Sequence, residues 1–187
     1  MNPLLIDIPE EFSSEQLTIR GWRPGDGADL NAAILESLGE LKPWMPWAQT
    51  APTVQESEEF CRRSHIRFLA REDLAFGLFL KETSTLIGAS GLHRMDWNVP
   101  KFEIGYWLRS SLTSQGYMTE AAAAITSFAF QTLHAQRVEI RTDDRNERSW
   151  RIPERLGFRL EGILHNDGRD AAGTLRHTRI YARVAPE

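Results

Sequence analysis

The sequence predicts a single α/β domain built on a mixed sheet, antiparallel in its early part and parallel around one long helix. Three observations carry this expectation. Apolar runs at Leu74–Leu80, Thr85–Leu92 and Phe102–Leu108 are separated only by short turn-forming stretches, as in a meander. From Gly116 the spacing changes to a helical period, with Met118, Ala122, Ile125, Ala129 and Leu133 on one face. Beyond that helix, short strands alternate with a short helix, the pattern that generates parallel pairing.

The elements follow in order. Met1–Glu10 carries Asp7 and Glu10 and no apolar run, so residues 1–14 read as a loose arm and not as a signal peptide. Leu17–Trp22 alternates like a strand and is stopped by Pro24; Ala28–Leu38 has helical spacing and ends at Gly39. Thr53 followed by Glu56 is a capping-box signature, opening a helix to about Arg71. After the meander and the long helix come a strand at Val138–Thr142 and a helix at Ser149–Leu156 closed by Gly157. Strands at Phe158–Leu164 and Arg176–Val184 finish the chain, joined through the turn-rich Asn166–Gly173. Pro153 belongs in the first turn of its helix, because deeper inside it removes a hydrogen bond.

Composition narrows the function. The 187 residues carry 41% hydrophobic and 26% charged side chains, ordinary for one globular domain, and no apolar run is long enough for a bilayer. The formal net charge of −4 argues against nucleic acid and leans weakly towards a basic acceptor. Cys61, the single cysteine, cannot form an internal disulfide and fits a reducing, cytoplasmic setting as a packing residue. Asp143 and Asp144 have no neighbouring histidine or cysteine to complete a ligand set, so no metal is expected. His134, His165 and His177 are scattered, and surface roles suffice for them.

Chemistry concentrates in two segments. Leu108–Ala121 leaves a strand, turns, and enters the long helix at Gly116. The first N–H groups of a helix lack internal partners and the macrodipole favours an anion, so Ser114, Gln115, Gly116, Tyr117, Met118 and Thr119 form a candidate pyrophosphate cradle. The loop has neither the lysine of a P-loop nor the glycines of a dinucleotide fingerprint, which disfavours ATP and NAD. The second segment, Asn146–Phe158, holds Asn146 and Ser149; these residue types also cap helices, and that alternative stays open.

Taken together, Gly105-Tyr-Trp-Leu108, Gly116-Tyr-Met-Thr-Glu-Ala121, Asn146-x-x-Ser149, Leu156-Gly-Phe158, Leu160-Glu-Gly162 and Tyr181-Ala-Arg183 stand in an order that resembles the GNAT superfamily. Within it, the resemblance is to the RimJ/RimL-type protein N-terminal acetyltransferases. It implies an acyl-CoA N-acyltransferase fold and acetyl-CoA as co-substrate. The amides of 114–119 would then hold the pyrophosphate, the strand edge at Trp107 and Leu108 would pair with the pantetheine arm, and Asn146 would hydrogen-bond that arm. Ser149 would face the sulfur. Thr113 stands where the family has Gln or Arg, Ser114 replaces a glycine, and Met118 replaces a small residue.

The implied reaction is attack of a neutral amine on a thioester. An α-amine titrates near ~7.7–8.0 and a lysine near ~10.4, so freeing the α-amine is easier by roughly 3.5 kcal/mol. Glu103 shares a strand face with Gly105 and Trp107 and is a candidate base; an exposed strand carboxylate is the equal alternative. The N–H of Leu108 is the implied oxyanion donor, and Ser149 a proton source for the thiolate. Trp44 and Trp47, on a proline-stiffened loop where the resemblance places substrate contacts, are candidate walls of the acceptor cleft; packing over the sheet is the equal alternative. Arg148, Arg151 and Arg155 share a helical face, and Arg155 is taken as a CoA contact beside the alternative of a solvated face. The leading acceptor is a protein N-terminus, with ribosomal proteins among the candidates; a small-molecule amine and a non-catalytic acyl-CoA-binding module are the alternatives. The branch resembled suggests a homodimer.

Overall fold

A computed structural model of the chain describes residues 2–170 and 172–185. Met1, Ala171 and the last two residues, which the expected arm, connecting turn and domain bounds include, lie outside the described residues. The elements run β1 (Glu11–Ser13), β2 (Leu17–Gly21), α1 (Gly27–Leu41), α2 (Val54–Leu69), β3 (Leu74–Leu80), β4 (Leu86–Asp96) and β5 (Lys101–Leu108). They continue with α3 (Tyr117–Gln131), β6 (Arg137–Asp143), α4 (Glu147–Arg155), β7 (Arg159–Arg169) and β8 (Leu175–Val184). The strands form one mixed sheet in the order β1-β2-β3-β4-β5-β6-β8-β7. β5 and β6, bridged by α3, pair in parallel, and the other pairs are antiparallel.

Period-2 alternation buries both faces of the sheet. Leu74, Phe76 and Leu78 of β3 pack with Ile125 and Phe128 of α3. Ala75 and Phe79 face the other way, towards Leu30 and Ile34 of α1 and Cys61 of α2. Cys61 is fully buried, and desolvation pushes its thiol up to about 12, so it packs and does not react. The α2 capping box forms as expected, with Glu56 N–H donating to Thr53 Oγ1 at 3.1 Å and Thr53 N–H to the Glu56 carboxylate at 2.7 Å.

Four expectations need correction. The region read as a loose arm contains β1, which pairs with β2; Ile8 is buried and Phe12 stacks on Phe128 at 4.4 Å. Helix α1 runs through Gly39 to Leu41, because burying Leu41 outweighs the ~1 kcal/mol helix penalty of glycine. The turn-rich segment after β7 is shorter than read, since β7 extends to Arg169 before the chain returns at Leu175. Pro153 lies in the second half of α4, not in its first turn, and its lost hydrogen bond is replaced from outside the helix, as described below.

The start of α3 is anchored from beneath. Glu120 accepts from Ser14 Oγ at 2.6 Å, Gln16 N–H at 2.7 Å and Gln16 Nε2 at 2.8 Å. Burial opposes its ionisation, but these donors and the Lys81 ammonium outweigh it and hold the carboxyl below the usual carboxylate range. A depressed folded pKa stabilises the fold above the unfolded value of about 4.3, and that contribution disappears as pH falls through the folded value. Glu120→Gln is therefore expected to lower unfolding free energy by on the order of 1 kcal/mol at pH 7. Urea titrations at a series of pH values should show the gap to the wild type closing below about pH 4.

Candidate functional site

The register of β5 creates the site. β5 pairs with β6 only from Lys101 to Ile104, while β6 continues along β8 to Asp143. Gly105–Leu108 thus keeps β4 on one side and has an open edge on the other. Arg109 N–H donates to Ile87 C=O at 2.7 Å, which makes Gly88 and Leu108 a non-hydrogen-bonded pair. By the same alternation the Leu108 N–H points away from β4, into the open edge.

The turn from β5 to α3 is held by α1. Arg109 Nη1 meets Glu36 Oε2 at 2.5 Å, Ser111 Oγ meets Glu36 Oε1 at 2.7 Å, and Ser110 N–H donates to Ser37 Oγ at 3.0 Å. Ser114 sits at φ +63°, which explains why a glycine suits that position; the serine carries a strain of about 1 kcal/mol or more. Gly116 is the N-cap of α3 at φ +90° and offers no capping side chain. The first helical bond comes from Glu120 N–H to Gly116 C=O, leaving the amides of Tyr117, Met118 and Thr119 without intrahelical acceptors.

A cavity of about 470 Å³ lies between this helix start, α4 and the open β5 edge. Ser114, Gly116, Tyr117, Met118 and Thr119 line it, with Trp107 and Leu108 on one wall and Asn146, Ser149 and Arg155 on the other. Gln115 does not; its side chain turns back to Ser111 C=O at 3.4 Å. Asn146 Oδ1 accepts from Ser149 N–H at 3.2 Å, so this residue does cap α4, and only its Nδ2 is left for the cavity. Arg148 and Arg151 also border the space but are paired with Glu40 and Glu147, whereas Arg155 has no ion pair among the described residues.

Pro153 leaves the Ser149 carbonyl without its helical donor, and Tyr106 Oη donates to it at 2.9 Å. The phenol also lies 3.4 Å from Ser149 Oγ. Burial pushes the Tyr106 pKa up, so the hydroxyl stays protonated as a donor.

A second cavity of about 440 Å³ lies across β5 on the α1–α2 face. Tyr106 and Trp107 border both spaces, so the two meet at the open strand segment. The tryptophans of the proline-stiffened loop divide between them. Trp47 borders the second cavity with its ring 6.0 Å from that of Trp107, while Trp44 borders the first. Trp47 lies inside the 3₁₀ turn at Pro46–Gln49, and Trp44 precedes it.

Glu103 lines neither space. It lies in the paired part of β5 opposite Glu139 of β6, with Arg94 at 3.2 Å, and burial raises its carboxyl pKa. The residues that sequence reasoning missed are Tyr106, Glu36, and the pair His93–Asp73 on the wall of the second cavity. For His93 the available signal was its place on the same alternating face of β4 as Ala89 and Gly91.

A family model described as an acetyltransferase (GNAT) domain matches residues 16–159. The chain is similar to YdaF of Bacillus subtilis (strain 168), which carries a provisional ribosomal N-acetyltransferase assignment, at 31% identity over 90% of each chain. It is also similar to the ribosomal-protein-serine acetyltransferase of Escherichia coli (strain K12), at 28% identity over 81% of this chain and 85% of that one. Among solved structures, RimL, a ribosomal L7/L12 α-N-protein acetyltransferase in complex with coenzyme A, superposes with a TM-score of 0.85. That likeness covers 95% of this chain and 97% of the other at 20% identity, and so speaks for the fold.

Proposed function

The chain belongs to the GNAT acetyltransferase family, and on that premise we propose that it transfers the acetyl group of acetyl-CoA to the α-amine at the N-terminus of a protein or peptide. The observation that carries the reading is the pair of cavities meeting at the open edge of β5. A thioester lying along Tyr106–Leu108 is then reachable by an amine from the opposite side. The relatives named for ribosomal-protein acetylation support the choice of a protein N-terminus.

The free amides of Tyr117, Met118 and Thr119 fit a CoA pyrophosphate, because backbone donors at a helix start need no particular side chain. Asn146 Nδ2 and the open edge at Trp107 and Leu108 fit the amides of the pantetheine arm. The Leu108 N–H fits the oxyanion that forms when the amine attacks, and Ser149 Oγ fits a donor to the departing sulfur. A thiol of ordinary pKa, about 8.5, needs only a weak donor to leave. Trp47 and Trp107 give the acceptor side an aromatic wall.

Free-thiol release measured over a panel of peptides with open N-termini, polyamines and aminoglycosides tests the reading. Peptides should be preferred, and blocking their N-termini should abolish release. Turnover confined to small amines would replace the protein acceptor with a metabolite.

A further inference from the structure

The second cavity holds a titratable pair that the sequence did not suggest. His93 Nδ1 lies 2.6 Å from Asp73 Oδ1, and both residues line the cavity. Asp73 is 8% exposed; its other oxygen is 3.8 Å from Arg67 Nη1. An ionised carboxylate only accepts, so Nδ1 carries the proton in such a contact, and in the neutral ring Nε2 keeps its lone pair.

Backbone geometry fixes where that lone pair sits. Gly91 of β4 and Gly105 of β5 face each other in register, and the imidazole lies over both. A methyl group at Gly91 would come within 2.9 Å of His93 Cε1, and one at Gly105 within 3.2 Å of Cδ2 and 3.5 Å of Nε2. Two residues without side chains thus form the floor that lets the ring reach across the strands. Gly105 is the first residue of β5 beyond the paired segment, so Nε2 stands where the open edge begins. Glu103 is two residues back, inside the paired segment and engaged by Arg94.

We propose that His93 is the general base of the acetyl transfer and that Asp73 is its positioning residue. The inference rests on the reading that the second cavity takes the amine acceptor. The amine nitrogen forms its bond to the thioester carbonyl carbon, the surplus ammonium proton passes to His93 Nε2, and the tetrahedral adduct collapses with cleavage of the C–S bond. The sulfur leaves as thiolate and takes a proton from solvent, directly or through Ser149 Oγ, which regains its own from solvent; His93 then releases its proton to solvent. Asp73 keeps Nδ1 as the donor and stabilises the imidazolium while it exists.

The charged and titratable groups that face His93 come from several elements. Asp73 precedes β3, Arg67 lies on α2, Arg94 is the next residue of β4, and Glu103 is opposite on β5. Glu56 of α2 and Tyr106 of β5 border the same cavity.

Steady-state kinetics with the preferred amine of the panel test the proposal. His93→Gln preserves volume and is expected to lower kcat by about 100-fold or more, with KM for acetyl-CoA and the melting temperature near those of the wild type. Added imidazole should restore turnover to His93→Ala in a concentration-dependent way. Asp73→Asn should lower kcat by about tenfold and displace the acidic limb of the kcat–pH profile, a change that a purely structural role would not produce. The proposal is overturned if His93→Gln stays within about threefold of wild-type kcat, or if Glu103→Gln shows the larger loss. Loss of acetyl-CoA affinity in parallel with kcat would also overturn it, by making His93 structural. A wild-type chain that binds acetyl-CoA but acetylates no amine of the panel would instead remove the acceptor reading, and the base with it.

Discussion

Phe76→Ala is expected to lower the unfolding free energy by about 3–5 kcal/mol, measured from the urea midpoint at constant m-value. Phe76 has no solvent exposure and sits in β3 between β2 and β4. Its ring meets three others edge-on: Phe12 of β1 at 5.3 Å, Phe68 of α2 at 5.9 Å and Phe128 of α3 at 5.9 Å. Those partners come from different layers and none can follow a shrinking side chain without leaving its own neighbours, so the cavity stays open. Domains of this kind have about 5–15 kcal/mol to lose, which makes the single change a large fraction of the total. Phe76→Leu should cost less, because most of the volume is kept. Equal costs for the two would show that the site collapses freely and that the aromatic contacts contribute little.

The elements that could be read from the chain are those whose signal is local. The capping box at Thr53 and Glu56, the apolar meander and the helical face from Met118 to Ala129 each state their own structure within a few residues. β1 could not be read this way. It is three residues long and exists because Phe12 stacks on Phe128, far along the chain. The order β6-β8-β7 is also set by long-range pairing, with β8 antiparallel to both of its neighbours.

The candidate site divides in the same manner. Gly116 and the orphan amides behind it follow from a strand-to-helix junction, and Asn146 and Ser149 from a helix start. His93 and Asp73 are twenty residues apart and meet only because β3 and β4 run antiparallel. Trp44 and Trp47 look equivalent in sequence, yet Trp47 belongs to a 3₁₀ turn that Trp44 precedes, and the two border different cavities. Glu103 shares the expected face, but the open edge does not reach it, because β6 still pairs with β5 at that residue, and it lines neither cavity.

Tyr106→Phe is expected to cost about 1–3 kcal/mol of stability, since it strips the side-chain donor from a carbonyl held away from bulk water. It is also expected to lower kcat by about tenfold or more, because the carbonyl belongs to Ser149 and small displacements near reacting groups are expensive. Pro153 is the origin of this dependence: with no N–H at that position, the helix cannot satisfy the Ser149 carbonyl itself. Pro153→Ala supplies an N–H one turn along, so in that background the phenol becomes dispensable for the carbonyl. A double-mutant cycle therefore decides the point. Tyr106→Phe should be milder by about 1 kcal/mol in the Pro153→Ala background than in the wild type, and additivity within about 0.5 kcal/mol would mean that the two residues do not serve the same carbonyl.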